Sequence, residues 1–255
     1  VSGLGDEAAT ASDTGSVAAT VITNLDAVTT GAVAAAGVAT LTGTFSEIQA
    51  AYTANTAGTV SGLGDEAATA SDTGSVAATT ITNLDAVTTG AVAAAGVATL
   101  TGTLSQIEAA YAANTAGTVS GLGDEAATAS DTGSVAATAI TNIDSGTSGV
   151  LTLNAGITGL TGTLSQIQAA FDANDGAGVT GLDDNETATA SDTGSVAATA
   201  ITNLDTETTG AVAVAGVSTI TGTFSEIQAA YTANTAGTVS GLGDEAATAS
   251  DTGSV

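Results

Sequence analysis

The sequence contains no lysine, arginine, histidine, cysteine, methionine, tryptophan or proline, while 26 aspartate and glutamate residues give it a formal charge of −26 at pH 7. Without histidine, cysteine or lysine there is no conventional base for a nucleophilic triad, no thiolate, no Schiff base and no strong zinc site. Without a cationic side chain there is no salt bridge between side chains and no electrostatic contact with phosphate. The composition therefore argues against an enzyme, and it predicts that nucleic acids and anionic membrane surfaces repel the protein.

The apolar part of the sequence consists mostly of small side chains. Hydrophobic residues account for 43% of the 255 residues but aromatic residues for only 2%, so alanine and valine dominate. No run of 18 apolar residues occurs, and the richest stretch, residues 32–41, is interrupted by Gly37. A helix that spans a bilayer needs about 20 consecutive apolar residues, so we expect no membrane insertion.

A long segment repeats along the chain with few changes. Residues 1–7 return at Val60, Val119 and Val239, and in altered form at Val179. The units defined in this way are 1–59, 60–118, 119–178 and 179–238, and residues 239–255 repeat residues 1–17 without a change. Neither end carries a distinct capping unit, so we expect one continuous solenoid that is a window of a longer array.

The first half of each unit predicts two short strands and a helix. In the first unit, residues 1–4 and 8–12 are rich in small and β-branched side chains, which predicts strands. Apolar residues at a helical spacing of three and four follow, and residues 29–31 predict the end of this helix. The residues with this spacing are Val17, Val21, Ile22, Leu25 and Val28.

The second half of each unit has the same order and a clearer helix start. Residues 32–35 and 38–42 predict short strands. Thr44 and Glu47 form a capping-box pattern, in which Thr44 caps the helix and Glu47 reaches back to its backbone. The other complete units keep this pattern as Thr103 with Gln106, Thr163 with Gln166, and Thr223 with Glu226.

The order strand, strand, helix, twice per unit, predicts an α/β fold. Such coils stacked in register form a right-handed parallel solenoid with two coils per repeat of 59–60 residues, because crossovers between parallel strands are almost always right-handed. An all-β solenoid is the main alternative, since threonine and valine favour strands and weaken the first helix.

The tetrapeptide Asp13-Thr14-Gly15-Ser16 recurs in every unit. It resembles the active-site signature of pepsin-like and retroviral aspartic proteases, in which two carboxylates from two such loops share one proton. If the units stack by translation, the copies lie in a row and do not face each other in pairs. In addition, no bulky side chain precedes Asp13. We therefore expect that Asp13 or Ser16 caps the first helix of the unit.

An acidic cluster recurs in each unit and offers a candidate calcium site. Carboxylates and turn carbonyls are the oxygen ligands that Ca²⁺ takes, and bound cations would relieve the repulsion that no lysine or arginine relieves here. A solvated acidic surface that serves solubility is the alternative reading. The candidate ligands are Asp6, Glu7 and Asp13; Asp65, Glu66 and Asp72; Asp124, Glu125 and Asp131; Asp183, Asp184, Glu186 and Asp192; and Asp244, Glu245 and Asp251.

Two further rows of side chains suggest binding surfaces or core layers. Thr42-Gly43-Thr44 is similar to the Thr-x-Thr arrays of ice-binding solenoids, although Thr44 is also the predicted helix cap. Aromatic residues occupy one equivalent position in every complete unit. In the first unit this position shares a helix face with Phe45 and Ile48, which predicts a core layer rather than a carbohydrate-stacking row. These residues are Tyr52, Tyr111, Phe171 and Tyr231.

Several segments resemble a known group of repeats. The pieces Leu-Thr-Gly-Thr-x-Ser-x-Ile-x-Ala-Ala-Tyr at 41–52, Ala-Asn-Thr-Ala-Gly at 54–58 and Val-Ser-Gly-Leu-Gly-Asp-Glu at 1–7 are similar to repeats in giant secreted cell-surface proteins of marine cyanobacteria and other marine bacteria. The resemblance covers essentially the whole chain. It implies an extracellular, very long and acidic protein of a surface coat, or one for adhesion or motility, without catalytic residues.

Together these patterns predict a structural protein outside the cell or at its surface. We expect a stiff acidic rod or filament segment that self-associates end to end or side by side and has no catalytic activity. The alternative is the stalk of an adhesin, or an ice-binding or glycan-binding solenoid module.

Overall fold

The computed structural model describes residues 5–251. The chain divides into two compact units, Val1–Ala127 and Thr128–Val255, and the boundary falls near the start of the third repeat. The strand predicted at residues 1–4 lies outside the described residues. Its equivalents in the later repeats are two-residue strands, so the prediction is confirmed for those copies.

The first compact unit holds two repeats and the beginning of the third. The first repeat contains β1 (Ala9–Thr10), β2 (Ser16–Ala18), α1 (Ala19–Val28), β3 (Val33–Ala34), β4 (Thr40–Gly43) and α2 (Phe45–Ala57). The second contains β5 (Val60–Ser61), β6 (Ala67–Ala70), β7 (Ser75–Ala77), α3 (Ala78–Asp85), β8 (Val92–Ala93), β9 (Thr99–Gly102) and α4 (Leu104–Ala116). The third repeat begins with β10 (Val119–Ser120) and with β11 (Ala126–Ala129), which contains the boundary between the two units.

The second compact unit repeats the same elements. The rest of the third repeat contains β12 (Gly133–Ala136), α5 (Ala137–Gly146), β13 (Leu151–Thr152), β14 (Ile157–Gly162) and α6 (Leu164–Asp175). The fourth contains β15 (Val179–Thr180), β16 (Thr187–Ala190), β17 (Ser195–Ala197), α7 (Ala198–Glu207), β18 (Val212–Ala213), β19 (Thr219–Gly222) and α8 (Phe224–Ala236). It is followed by β20 (Val239–Ser240) and β21 (Ala246–Ala249).

The fold is an α/β parallel solenoid of strand–helix coils, two per repeat, as the sequence predicted. Strands of successive coils pair in parallel, for example Val17 with Leu41, and Leu41 with Ala68. The all-β alternative is wrong, because each complete repeat contains two α-helices. Alanine, leucine and glutamine favour the long helices, whereas the threonine-rich short helices form because their apolar face, which carries Ile81 and Leu84 in α3, is buried.

The first half of each repeat contains a short strand that the sequence did not predict. In the first unit the strand order of one sheet is β10-β8-β6-β4-β2, whereas β7 pairs with β9 instead of joining that sheet. In the second unit, β12, β14, β16, β18 and β20 form one sheet, and β17 starts another with β19 and β21. The additional strand of each repeat is therefore the first strand of a new sheet.

The predicted apolar face of the first helix is partly wrong. Val17 lies in β2, and helix α1 begins only at Ala19. The buried residues of α1 include Ile22, which is 3% exposed. Val21 and Val28 are 59% and 73% exposed. Consecutive helical residues are rotated by about 100°, so the stripe that carries Val21 and Val28 points away from the strands when Ile22 faces them.

The long helices confirm the predicted cap and stripe. In α2 the Thr44 hydroxyl accepts a hydrogen bond from the Glu47 backbone N–H at 3.2 Å, and the Glu47 carboxylate accepts one from the Thr44 N–H at 2.7 Å. All four capping boxes are present. Phe45, Ile48 and Tyr52 are buried, so the aromatic row is a core layer in the first repeat, as it is at Tyr111 and Phe171. The Thr44 hydroxyl is therefore used in the helix cap, so Thr44 does not belong to a row of free threonine side chains.

The third and fourth repeats each contain one residue more than the first two, and both insertions are absorbed locally. In the third repeat, Gly133 pairs with Ile157 but Ser134 pairs with Gly159, so the extra residue forms a β-bulge at the start of β14. In the fourth repeat the extra residue lies in the loop before β16, where Asp184 adopts a φ of 55°. Gly159 pairs with Thr187, and the residues that follow pair in regular register. Neither insertion therefore disturbs the strand interior.

Candidate functional site

The acidic residues predicted as calcium ligands fall into three structural classes. The aspartates that precede the glutamate in each loop, such as Asp65 and Asp124, are exposed. Three of the glutamates point inward, since Glu66, Glu125 and Glu186 are only 2%, 2% and 1% exposed, whereas Glu7 is exposed and Glu245 is partly exposed. The aspartates of the later Asp-Thr-Gly-Ser segments, such as Asp72 and Asp192, lie at the start of a long helix, whereas Asp13 is exposed. The structure therefore separates residues that the sequence grouped together.

Each buried glutamate holds the turn that precedes it. The Glu66 carboxylate accepts a hydrogen bond from the Gly64 backbone N–H at 2.7 Å, and Glu125 accepts one from the Gly123 N–H at 2.8 Å. At the first and last copies, Glu7 and Glu245 make the same bond with Gly5 and Gly243. Burial of a carboxylate without such partners is costly, so these bonds are what allow the side chain to turn inward.

A tyrosine of the preceding long helix completes this arrangement. The Tyr52 hydroxyl donates at 3.3 Å to the Glu66 carboxylate, and it also lies 3.3 Å from the Glu66 carbonyl oxygen. Burial is the main reason that the pKa of Tyr52 is raised to about 12, and the nearby Glu66 charge adds to the shift. In the last copy the hydrogen bond with Glu245, together with burial, raises the pKa of Tyr231 to about 12.

At the junction of the third and fourth repeats, the tyrosine is replaced and the loop that faces it is changed. Phe171 stands where the other repeats have tyrosine, and the loop that follows it contains the inserted residue. Glu186 now uses both carboxylate oxygens on the backbone, accepting from the Asp183 N–H at 3.0 Å and from the Asn185 N–H at 3.2 Å. The longer loop thus brings a backbone donor to each of the two carboxylate oxygens where the hydroxyl is missing.

The threonine–glycine segment after each short helix packs directly on the glutamate. Thr88 donates to the Glu66 carbonyl oxygen at 2.7 Å, and its hydroxyl accepts from the Gly90 N–H at 3.0 Å. Gly90 lies so close that a Cβ there would overlap the Glu66 backbone. Thr208, Gly210 and Glu186 repeat the same contacts in the fourth repeat. The helix, the turn and the threonine loop of neighbouring coils therefore meet at one buried glutamate, the turn at its carboxylate and the threonine at its backbone carbonyl oxygen.

The predicted role of the Asp-Thr-Gly-Ser aspartate is wrong. Each short helix starts after an alanine that makes no side-chain cap, and Ser16 lies in β2. The Asp72 carboxylate instead accepts from the Phe45 N–H at 2.8 Å, which is the first N–H of the long helix one coil earlier. Asp192 and Asp251 bind the N–H groups of Leu164 and Phe224 in the same way, at 2.8 and 2.6 Å.

This reassignment has a simple physical basis. The first N–H groups of a helix have no partner inside the helix, and the positive end of the helix dipole lies there. Thr44 and Glu47 satisfy two backbone donors of this region, and the carboxylate from the next coil satisfies the N–H of Phe45. The β strand that continues into the short helix leaves no room for a local cap. The tetrapeptide therefore joins two coils and caps no helix of its own.

An asparagine in each long helix was not recognised as a structural residue from the sequence. The Asn55 side chain donates to the Leu63 carbonyl oxygen at 3.0 Å and accepts from the Leu63 N–H at 3.1 Å. The same pair of bonds recurs at Asn114 with Leu122 and at Asn234 with Leu242. Its presence at the same position of every complete repeat was the signal that could have identified it.

The pKa values of three other acids are shifted. The Gly5 backbone hydrogen bond lowers the pKa of Glu7. Burial opposes the same effect at Glu245, but the hydrogen bonds from Tyr231 and from the Gly243 backbone outweigh it, so that pKa is also lowered. Burial and then the neighbouring Asp175 and Glu186 charges raise the pKa of Asp184.

The arrangement of these acids does not provide a ready metal centre. Among residues 5–251, no group of three or more aspartate or glutamate side chains is placed to hold a metal ion. The glutamates are also engaged by backbone N–H groups, which leaves the exposed aspartates such as Asp65 and Asp124 as available oxygen donors. Calcium binding stays a prediction.

Comparison with known proteins adds no family assignment. The chain matches no family model, and no curated protein or solved structure shows significant similarity to it. In the described part of the chain no helix has both the length and the apolar character needed to cross a membrane.

Proposed function

We propose that this chain is a structural segment of an acidic extracellular rod or filament, at or beyond the cell surface, and that it has no catalytic activity. The observation that carries the proposal is the use of the acidic side chains. The residues most suggestive of chemistry, Glu66 and Asp72, accept hydrogen bonds that join one coil to the next.

The recurrence of these contacts supports the same proposal. The capping box, the asparagine pair, the buried glutamate and the aspartate of the next coil occupy the same places in successive repeats. Selection for one active site would single out one repeat, whereas a building element needs every repeat to be equivalent. Nearest-neighbour contacts of this kind make repeat stability additive along the chain.

The charge suits a segment that faces water. With 26 acidic residues and no cationic side chain, neighbouring molecules repel each other unless salt or bound cations screen them. Such a surface keeps a long array soluble and disfavours unspecific lateral aggregation. Contacts between neighbouring molecules therefore form only where their surfaces are complementary.

The length of the particle in solution tests the proposal. Chains of two, four and six repeats should show a maximum dimension that rises linearly with repeat number in small-angle X-ray scattering, and electron microscopy should show uniform thin particles. Antibodies against the chain should label intact cells of its source at the surface. A maximum dimension that grows only as the cube root of chain length, or label confined to the cell interior, would contradict the proposal.

A further inference from the structure

The strands carry none of the charge of this protein. Within residues 5–251 every aspartate and glutamate lies in a helix or a loop, and no strand contains either residue. The chain as a whole has 26 acidic and no basic residues. Two such molecules repel each other at their helices and loops, so the outward faces of the sheets are the surfaces where a close approach meets least repulsion.

In the first compact unit one row of outward side chains crosses all five strands of the sheet β10-β8-β6-β4-β2. Each member of the row pairs directly with the next, and each is exposed or partly exposed. Residues that alternate with them, such as Leu41 and Ala68, are fully buried. The row consists of Ala18, Thr42, Thr69, Ala93 and Ser120.

The second compact unit has the same row in the sheet of β12, β14, β16, β18 and β20. The same residue types follow in the same order as Ala136, Thr161, Thr189, Ala213 and Ser240. These five residues are also exposed or partly exposed. No member of either row is larger than threonine. The two sheet faces, defined by these rows, are therefore smooth as well as uncharged.

Hydroxyl groups of the sheet faces already have partners within their own sheet. Ser120 donates to the Val92 carbonyl oxygen at 3.5 Å, and Ser240 makes the same kind of bond at 3.5 Å. Thr161 donates to the Val135 carbonyl oxygen at 3.2 Å. These hydroxyls can be covered without losing their hydrogen bonds, so the usual cost of burying an unpaired polar group does not arise for them.

We propose that a second copy of this chain packs on these sheet faces. A face with no charge and no large side chain fits a partner that is equally smooth, because small side chains allow two sheets to approach closely. The strands of an identical sheet have the same spacing of about 4.8 Å, so the two surfaces match along the whole row. This inference rests on the proposed filament and names the surface through which its molecules lie side by side.

The area of one sheet face determines how strong the contact is. Five strands about 4.8 Å apart and about three residues long, at about 3.3 Å per residue, cover roughly 240 Å². A stable interface takes about 800 Å² from each partner. One sheet face therefore gives a weak contact, and each further repeat adds strands of the same kind. Association should tighten steeply as the number of repeats rises.

Acidic residues border the sheet face at both ends of its strands. Asp65 precedes β6 and is exposed, and Asp72 follows the same strand. When two copies pack together, these like charges repel each other, and salt screens the repulsion beyond about 10 Å at about 0.1 M ionic strength. Association through the sheet faces should therefore increase with sodium chloride, whereas a contact held by ion pairs would weaken.

A charge in the middle of each sheet face tests the proposal. Thr69→Asp together with Thr189→Asp should raise the concentration needed for association roughly tenfold or more, because like charges then meet in the contact. The control pair, Thr53→Asp with Thr232→Asp, adds the same charge at exposed helix positions where the third repeat already has Asp172, and it should change association little. Sedimentation velocity over a concentration series at high salt, on chains of four and six repeats, measures both.

A neutral pair separates charge from strand propensity. Thr69→Asn with Thr189→Asn introduces side chains of nearly the same shape as aspartate, which are equally unfavourable in strands but uncharged. This pair should keep most of the association that the aspartate pair loses. Circular dichroism and the melting temperature confirm that each variant folds.

The outcomes separate the sheet faces from the proposed function. Equal shifts for the sheet pair and the helix pair, or no shift for the sheet pair, overturn the contact and leave a filament built through another surface. A chain that stays monomeric with six repeats at high salt overturns it as well. Binding to ice or to an insoluble polysaccharide that a monomeric chain loses in the sheet pair would assign the faces to that ligand instead. The scattering experiment on chain length decides separately whether the rod itself is correct.

Discussion

The carboxylate of Asp72 lies 2.8 Å from the backbone nitrogen of Phe45, and this bond joins the loop of one coil to the start of the long helix in the coil before it. Asp192 and Leu164 repeat the relationship at the same distance. The most enzyme-like motif of the sequence is thus a contact between coils. Its energy depends on both the hydrogen bond and the interaction of the charge with the helix dipole.

Removal of this cap should destabilise the junction between two coils. We expect Asp72→Ala to lower the free energy of unfolding by about 1 kcal/mol, because the Phe45 N–H loses its side-chain partner. Asp72→Asn keeps an acceptor oxygen and should cost less. Urea unfolding measures the difference, and an exposed aspartate, Asp65→Ala, is the control. Equal effects of Asp72→Ala and Asp65→Ala would contradict the assignment.

A strained residue in the third repeat offers a stabilising change. Ala177 has a φ of 70°, at the position where Gly58 and Gly237 have 84° and 86°. A side chain in this left-handed region costs roughly 1 kcal/mol, so Ala177→Gly should stabilise the protein by about that amount. Gly58→Ala is the matched control and should destabilise it similarly. Thermal unfolding measures both, and a destabilising Ala177→Gly would show that the strain is relieved elsewhere.

We expect that the loop insertion before Glu186 compensates for the tyrosine hydroxyl that is missing there. Tyr52→Phe removes a donor to Glu66 and should cost about 1 kcal/mol. Phe171→Tyr should bring no equal gain, because both Glu186 oxygens already accept backbone hydrogen bonds. Amide hydrogen exchange in the two loops measures each effect locally. A stabilisation by Phe171→Tyr as large as the loss from Tyr52→Phe would refute the compensation.

The raised tyrosine pKa values predict a loss of stability at alkaline pH. Tyr52 and Tyr231 have pKa values of about 12 in the folded protein, against an ordinary value of 10.0. Their contribution is complete below pH 10, where both states hold the proton. It is lost as the pH rises toward 12, because the unfolded chain releases protons first. Denaturant midpoints across this range should fall, and replacement of both residues by phenylalanine should flatten the dependence.

Chelation tests the predicted calcium binding. Calcium should raise the melting temperature more than sodium chloride of equal ionic strength, and a chelator should reverse the rise. Because Glu66 is engaged by backbone and tyrosine, Asp65→Asn should reduce the response more than Glu66→Gln does. An identical response to both salts would mean that screening alone is responsible.

Strong local signals in the sequence were reliable guides to structure. Thr44 and Glu47 occupy the first turn of their own helix, so the capping box depends only on neighbouring residues and was confirmed. The alternation of strands and helices and the coil repeat follow equally from local patterning. The aromatic position of Tyr52 was predicted to be buried because its helical spacing alone places it on the apolar face.

Roles that depend on another coil were not accessible in this way. Asp13 and its equivalents lie near a short helix in sequence, and only the stacking of coils places Asp72 at the helix of Phe45. Likewise, the inward position of Glu66 depends on Tyr52 and Thr88, which lie on opposite sides of it along the chain.

The sequence by itself determined the repeat, the alternation of strands and helices, the capping boxes of the long helices and the unbalanced negative charge, because these depend on composition and on residues within one turn of each other. Only the tertiary structure decided which acids face water and which join the coils. That choice is set by the partners that a neighbouring coil brings within hydrogen-bonding distance, and a buried carboxylate such as Glu66 is stable only where partners such as Tyr52 are present.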